Sequence, residues 1–193
     1  MAKRQFSDVQ IFIILTVVSV VSAGILAFTY NFTKDPIEKT EKKKKEDALR
    51  VVLPPETVKI TPQTIKIEGE DVELNIGEDK DGKVVGYAIQ TITKKGFGGE
   101  IIFLLGIDLQ GKITTYNVID HKETPGLGDG INSEKFKKQF QGKNSENFTF
   151  KVVKDGGNVQ AITAATITSR AACDALEKGL KYFKAYKTQG SQK

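Results

Sequence analysis

The stretch that decides the fold is "VVGYAIQTITKKGFGGEIIFLLGIDLQGKITTYNVID", Val84–Asp120. It opens just after Asp81-Gly82, a hairpin-type dipeptide, with a segment rich in β-branched residues that reads as a strand. After the glycine-rich "KKGFGG", "EIIFLLGID" is a continuous apolar run, the pattern of a strand covered on both faces. Gln110-Gly111 marks a second turn before "KITTYNVID". The spacing predicts an antiparallel meander.

Toward the C-terminus, Ser133 is placed to cap a short helix in which Phe136 and Phe140 share a face, and "FTFKVV" predicts a further strand. A last helix is expected from about Ser169 to Tyr186, with Ala172, Leu176, Leu180 and Phe183 on one stripe. Lys178, Lys181, Lys184 and Lys187 lie off that stripe or near the C-terminal end, where positive charge suits the helix dipole. The tail "KTQGSQK" reads as frayed.

Toward the N-terminus, "DPIEKTEKKKKEDALRVVLP" predicts a polar linking helix whose last turn is packed, its lysines a solvated face or a contact with lipid headgroups. Before it, Val9 to Phe28 carries no charge and at helical rise spans about 30 Å, the thickness of a bilayer's hydrocarbon core. It reads as a retained transmembrane helix, with Tyr30 and Phe32 where it leaves the bilayer; the competing reading is a signal peptide introduced by Lys3 and Arg4. Lys3 and Arg4 are outnumbered by Lys34, Lys39 and Lys42 to Lys45 on the other flank, so charge alone leaves the orientation open and leans toward a cytoplasmic domain. The fold class is α+β: an N-terminal tail and single transmembrane helix over 1–33, a charged linker and domain start over 34–73, an antiparallel-sheet domain over 74–186, and a tail over 187–193.

Composition excludes several functions. With 193 residues there is room for one ordinary domain plus an appendage. The net charge of +5 comes from lysines in the linker and last helix with no aromatic-plus-basic RNA-binding motif, so no nucleic-acid partner is expected. Cys173 and His121 are each the sole residue of their kind, which excludes an internal disulfide and cysteine- or histidine-rich metal sites. No nucleophile–base pair or paired carboxylates stand out; Glu123 and His121 could form an acid–base couple, but in a strand-ending loop they are expected to point apart. Hydrolytic chemistry is therefore not expected; no catalytic residue or metal ligand is assigned.

Three stretches are rich in glycine or hydroxyls. "QAITAATITSRA", Gln160–Ala171, sets Thr163, Thr166, Thr168 and Ser169 among small residues where the last helix begins. Unpaired amides there would welcome an anion such as phosphate; ordinary capping by Thr163 or Thr168 fits equally. In "HKETPGLGDG", His121–Gly130, Pro125-Gly126 fits the centre of a type II turn and the glycines open the backbone to a flat ring, or make a rigid surface turn. "KKGFGG", Lys94–Gly99, has cradle glycines without the spacing of a P-loop or dinucleotide fingerprint. A ring-sized, anion-friendly site without catalytic groups suits a cofactor that carries the chemistry itself.

From about Leu74 to Tyr186, "ETPGLG" followed by the threonine motif resembles the FMN-binding domain family, the domain shared by the G subunit of Rnf-type electron-transport complexes and the C subunit of sodium-pumping NADH:quinone reductases. The chain's shortness favours the former. In that family FMN is esterified through its phosphate to the threonine ending Asp-x-x-Ser/Thr-Gly-Ala-Thr, by a flavin transferase using FAD and magnesium. Carried over, Thr163, Ala164, Ala165 and Thr166 fill the last four positions and Thr166 becomes the flavin acceptor, with Thr163 a recognition residue and Thr168 with Ser169 the helix cap. Gln160 stands where the family has Asp, and Ala164 where it has Gly. The resemblance implies cofactor contacts from Thr163, Ala165, Thr166, Thr168, Gly98, Gly99, Glu123, Thr124, Pro125, Gly126, Leu127 and Gly128, with Phe97 beside Leu127 at the ring. It implies an electron carrier, not catalytic alone, in a complex coupling ferredoxin and NAD chemistry to Na+ or H+ movement. Its partners would be the other membrane subunits, especially a second covalent-flavin subunit, the flavin transferase during maturation, and membrane lipid. The flavin domain would lie on the extracytoplasmic side of the cytoplasmic membrane. A cofactor-free interaction module and a stand-alone flavin carrier are the alternatives.

Overall fold

The computed structural model describes residues 7–190, so Lys3, Arg4 and the last three residues of the tail lie outside the described part. Two compact units divide the chain, Met1–Lys44 and Lys45–Lys193. The first is helical. Helix α1, Asp8–Val52, takes in both the apolar segment and the linker, with Pro36 inside it. Its apolar stretch has a mean hydropathy of 2.7 over its best window and none of that window is buried. Thr16 and Ser19 donate their hydroxyls to the carbonyls of Phe12 and Leu15 one turn back, so their polar groups are satisfied inside the helix, as a bilayer requires.

The second unit is built on a five-stranded sheet in sequence order, every neighbouring pair antiparallel: β1 (Lys59–Ile67), β2 (Glu70–Glu78), β3 (Val84–Thr93), β4 (Ile101–Ile107) and β5 (Ile113–His121). The last three strands are the expected meander; β2 is the partner that the Asp81-Gly82 hairpin turn implies, and β1 is a strand that the sequence pattern does not announce. Pro62 interrupts β1 and most of its side chains stay in solvent; both are tolerated because β1 is an edge. The turns β2–β3 and β4–β5 use one device. In Asp79–Lys83 and Asp108–Lys112 the leading aspartate accepts two backbone N–H groups, and Gly82 and Gly111 take φ of +76° and +79°.

Both faces of the sheet are covered. On the inner face Leu74, Ile89, Phe103, Leu105 and Tyr116 pack against helix α3, Thr166–Gly190, through Ala172, Leu176, Leu180 and Phe183. Each large apolar side chain fully buried there contributes about 1.5–3 kcal/mol. α3 starts three residues earlier than the amphipathic stripe suggests and continues through Gly190, so most of the tail is helical. Short helix α2, Glu134–Lys137, has Ser133 as its cap as expected, and Phe136 and Phe140 meet edge to face with centroids 5.4 Å apart. "FTFKVV" forms no strand of the sheet. Phe148 and Phe150 turn into the aromatic cluster around Phe140, while Gly156 at φ +79° folds the chain back so that Val153 and Val159 bond within the loop.

On the outer face the end of α1 settles into a trough of small residues. Gly77 and Gly86 are cross-strand partners, as are Ala88 and Gly106. A Cβ on Gly86 would come 2.7 Å from Pro54 Cδ, and one on Gly106 would come 2.2 Å from the Val52 carbonyl oxygen. That carbonyl also accepts the Thr114 hydroxyl at 3.1 Å. Ala48, Leu49, Val52 and Leu53 are thereby buried with Ala88 and Leu104, which is why β4 is apolar on both sides.

Two outcomes follow. Gly106→Ala, which pushes a methyl into backbone, is expected to destabilise the second unit by about 1–3 kcal/mol, read as a lower urea midpoint of the detergent-solubilised chain. Burial pushes the Cys173 thiol up to about 12. The native protein should therefore resist maleimide at neutral pH, and the same thiol should label within minutes in denaturant.

Candidate functional site

The start of α3 is bare. The first intrahelical bond runs from Ser169 N–H to the Ala165 carbonyl at 3.0 Å, so alanine occupies the capping position and offers no side-chain acceptor. The amides of Thr166, Ile167 and Thr168 find no hydrogen-bond acceptor among the described residues. The expected cap is thus absent, for a tertiary reason. Thr168 donates its hydroxyl to Glu123 Oε2 at 2.5 Å, and Ser169 donates to Ala165 O at 2.9 Å while accepting Ile162 N–H at 3.0 Å. Both hydroxyls face inward; Thr168 and Ser169 are 1% and 0% exposed. The first turn of α3 carries no acidic side chain, so its partial positive charge is not offset within the helix.

Ahead of the helix, Ala165 N–H bonds to Ile162 O at 3.0 Å and closes a turn with Thr163 and Ala164 at its centre. Ala164 has φ +61°, a left-handed conformation that a type II turn normally gives to glycine. The extra methyl is therefore strained at the place where the sequence departs from the family's glycine. Upstream, Gln139 brackets the backbone of Gln160, accepting its N–H at 2.7 Å and donating to its carbonyl at 3.2 Å. The Gln160 side chain is exposed and makes no hydrogen bond with the described residues.

The two glycine loops meet beneath this turn. Leu127 N–H bonds to Thr124 O at 3.1 Å with Gly126 at φ +77°, the expected turn around Pro125-Gly126. In the other loop, Gly98 lies so close to the neighbouring chain segment that a Cβ would fall 1.9 Å from Lys122 O. Its amide is spent on Glu123 Oε1 at 3.0 Å and is not free for a ligand. Glu123 N–H in turn donates to His121 Nδ1 at 3.2 Å.

Between these pieces lies a cavity of about 310 Å³ lined by Phe97, Glu123, Thr124, Leu127, Gly128, Ala164, Ala165, Thr166, Ile167 and Thr168. That volume is at the lower end of small-molecule sites, roughly 300–1,000 Å³. Of the residues expected from sequence, Ala165, Thr166, Thr168, Glu123, Thr124, Leu127 and Gly128 line it together. Thr163, Gly98, Gly99, Pro125 and Gly126 do not: they form the corners and backs of the three turns whose other residues face the cavity. Ile167 and Ala164 are added by the structure. The signal for Ile167 was an isoleucine in an otherwise hydroxylated first turn, 47% exposed beside Phe97 at 70% and Leu127 at 42%. A larger depression of about 1170 Å³ lies elsewhere, lined largely by charged groups such as Lys95, Asp174, Lys178 and Glu70. These pair with one another, which leaves them little to offer a ligand.

Both units match known proteins in sequence. Residues 96–181 match the FMN-binding domain, and residues 13–52 match the RnfG N-terminal region. The G subunit of the ion-translocating oxidoreductase complex of Methanosarcina acetivorans is 33% identical over 180 residues, covering 91% of this chain and 94% of that protein. The G subunit of the same type of complex from Vibrio cholerae is 33% identical over 192 residues, covering 92% and 90%. Among solved structures, Shewanella oneidensis NqrC superposes with a TM-score of 0.47 at 24% identity, over 66% of this chain and 65% of that one. The likeness to the G subunits runs through both units, the membrane anchor as well as the domain bearing the cavity, and the chain belongs to the family of G subunits of ion-translocating oxidoreductase complexes.

Proposed function

We propose that this chain is a membrane-anchored flavoprotein subunit that relays electrons through FMN esterified to Thr166 within an Rnf-type complex. The observation that carries the reading is the uncapped start of α3, where the amides of Thr166, Ile167 and Thr168 lack acceptors and Thr166 borders the cavity. A phosphate on the Thr166 oxygen would meet amides that otherwise go unpaired, in the field of the helix N-terminus. Phe97, Leu127 and Ile167 supply the apolar, exposed surface that a flat ring covers. Bound FMN supplies one- and two-electron redox chemistry at a ring the protein need not acidify or attack.

Attachment requires the Thr166 hydroxyl to displace AMP from FAD. The Thr166 oxygen would bond to the phosphorus that stays with FMN as the pyrophosphate bond breaks, and the hydroxyl proton would leave to solvent or to the attaching enzyme. Gln160 stands in place of a carboxylate, and a flavin transferase with its magnesium would supply the base. The other subunits, among them a second covalent-flavin subunit, would exchange electrons with the exposed ring. We place the domain on the extracytoplasmic side, where such a transferase works. The lysines of the linker are interleaved with Asp35, Glu38, Glu41, Glu46 and Asp47. A covalent tether is useful in that setting because a dissociable cofactor would be lost by diffusion.

The test is the intact mass of the chain taken from its native membrane and denatured. It should exceed the polypeptide by one FMN less one water, and Thr166→Ala should remove the excess and the yellow colour together; an excess surviving in that variant would move the bond to another hydroxyl. Ala164→Gly relieves the positive φ and should raise unfolding stability by about 1 kcal/mol, measured as an upward shift of the denaturant midpoint.

A further inference from the structure

Glu123 is 6% exposed and has no lysine, arginine or histidine ion-pair partner among the described residues. Its two oxygens join different segments. Oε1 accepts Gly98 N–H at 3.0 Å from the "KKGFGG" loop, and Oε2 accepts the Thr168 hydroxyl at 2.5 Å from the first turn of α3. Glycines make room for it on both sides: a Cβ on Gly96 would come 2.6 Å from Oε1, and one on Gly128 would come 2.5 Å from Oε2. The carboxylate thus sits in a slot shaped for it in the wall of the cavity, bonded to a residue two positions along α3 from Thr166. Burying an anion with one amide and one hydroxyl as its donors is unfavourable, and a neutral side chain would brace the loops at less cost.

We infer that Glu123 is a positioning residue with an electrostatic role: its carboxylate clamps the Phe97 loop to the start of α3, and its negative charge lowers the reduction potential of the flavin held in the cavity. The inference rests on the FMN reading above. Reduction of a flavin adds electrons and hence negative charge, and a fixed anion nearby opposes this. The opposition is strong because a buried charge acts through an effective permittivity of about 20 in place of water's ~80. The clamp and the charge are separable by substitution. In Glu123→Gln the amide oxygen can still accept Gly98 N–H and the amide N–H can donate to Thr168 Oγ, so geometry is kept and charge is lost. In Glu123→Ala both are lost.

The experiment uses the full chain in detergent. Redox titration of flavin-loaded Glu123→Gln should show two-electron reduction favoured at least tenfold over the wild type, a rise of about 30 mV in midpoint potential. An unchanged or lower midpoint overturns the electrostatic role. So does folded Glu123→Gln that fails to acquire the flavin mass, since the glutamine keeps the geometry and the charge would then act in attachment. The clamp is read without flavin, by hydrogen exchange in the Thr166→Ala background. There the Gly98 amide should exchange at least tenfold faster when Glu123→Ala is added and stay near its starting rate with Glu123→Gln; equal rates in all three chains overturn it. Failure of the FMN reading itself would appear separately, as a wild-type chain with no flavin mass.

Discussion

The structure depends on where α3 obtains its stability. An isolated helix would be favoured by a capped start, and this one begins with alanine in the capping position and amides left open. It is held by its apolar stripe. Ala172, Leu176, Leu180 and Phe183 are buried on the sheet, and Gly179 allows close approach, since a Cβ there would lie 2.7 Å from Leu105 Cδ2. Packing several turns away thus lets the first turn keep polar groups that a marginal helix would have to satisfy. The site is in this sense a consequence of the core.

The opposite face of the sheet is organised by the same means with a different element. The trough at Gly77, Gly86 and Gly106 admits backbone where a side chain would ordinarily stand, and the last turns of α1 and Pro54 fill it. β4 is consequently central in both senses, between β3 and β5 in the sheet and between two apolar layers across it. Its neighbour loop, Lys94–Gly99, leaves one end of that strand and carries Phe97 to the cavity. A rigid strand with a glycine-hinged loop at its end is a stable support for an exposed aromatic ring.

The meander was legible because its signals are local. Asp81-Gly82 and Gln110-Gly111 sit at turns whose aspartates bond only their own loop. β1 was hidden by Pro62 and by a polar pattern that only an edge strand tolerates. "FTFKVV" misled because β-branched and aromatic residues serve an aromatic cluster as well as a strand, and Gly156 with Gly157 closes that loop on itself. At the site, sequence located the hydroxyls but could not direct them. Thr168 is drawn to Glu123, 45 residues away, and Ser169 to the turn before it, so the expected cap dissolved into tertiary bonds. The positive φ of Ala164 opposes its own residue preference, at the position where the sequence sets alanine against the glycine of the motif it resembles.

The open amides at Thr166, Ile167 and Thr168 also link anion binding at this site to the stability of the domain. They belong to the fold itself, because α3 is held to the sheet by its apolar stripe and not by its first turn. Whatever fills that position favours the folded state over the unfolded one by linkage. Maturation of the site and stability of the domain are then one process seen from two sides. If FMN is the anion held there, as proposed, the chain lacking it would be the more easily unfolded species, and a cell's proteases could distinguish the two without reading the cofactor at all.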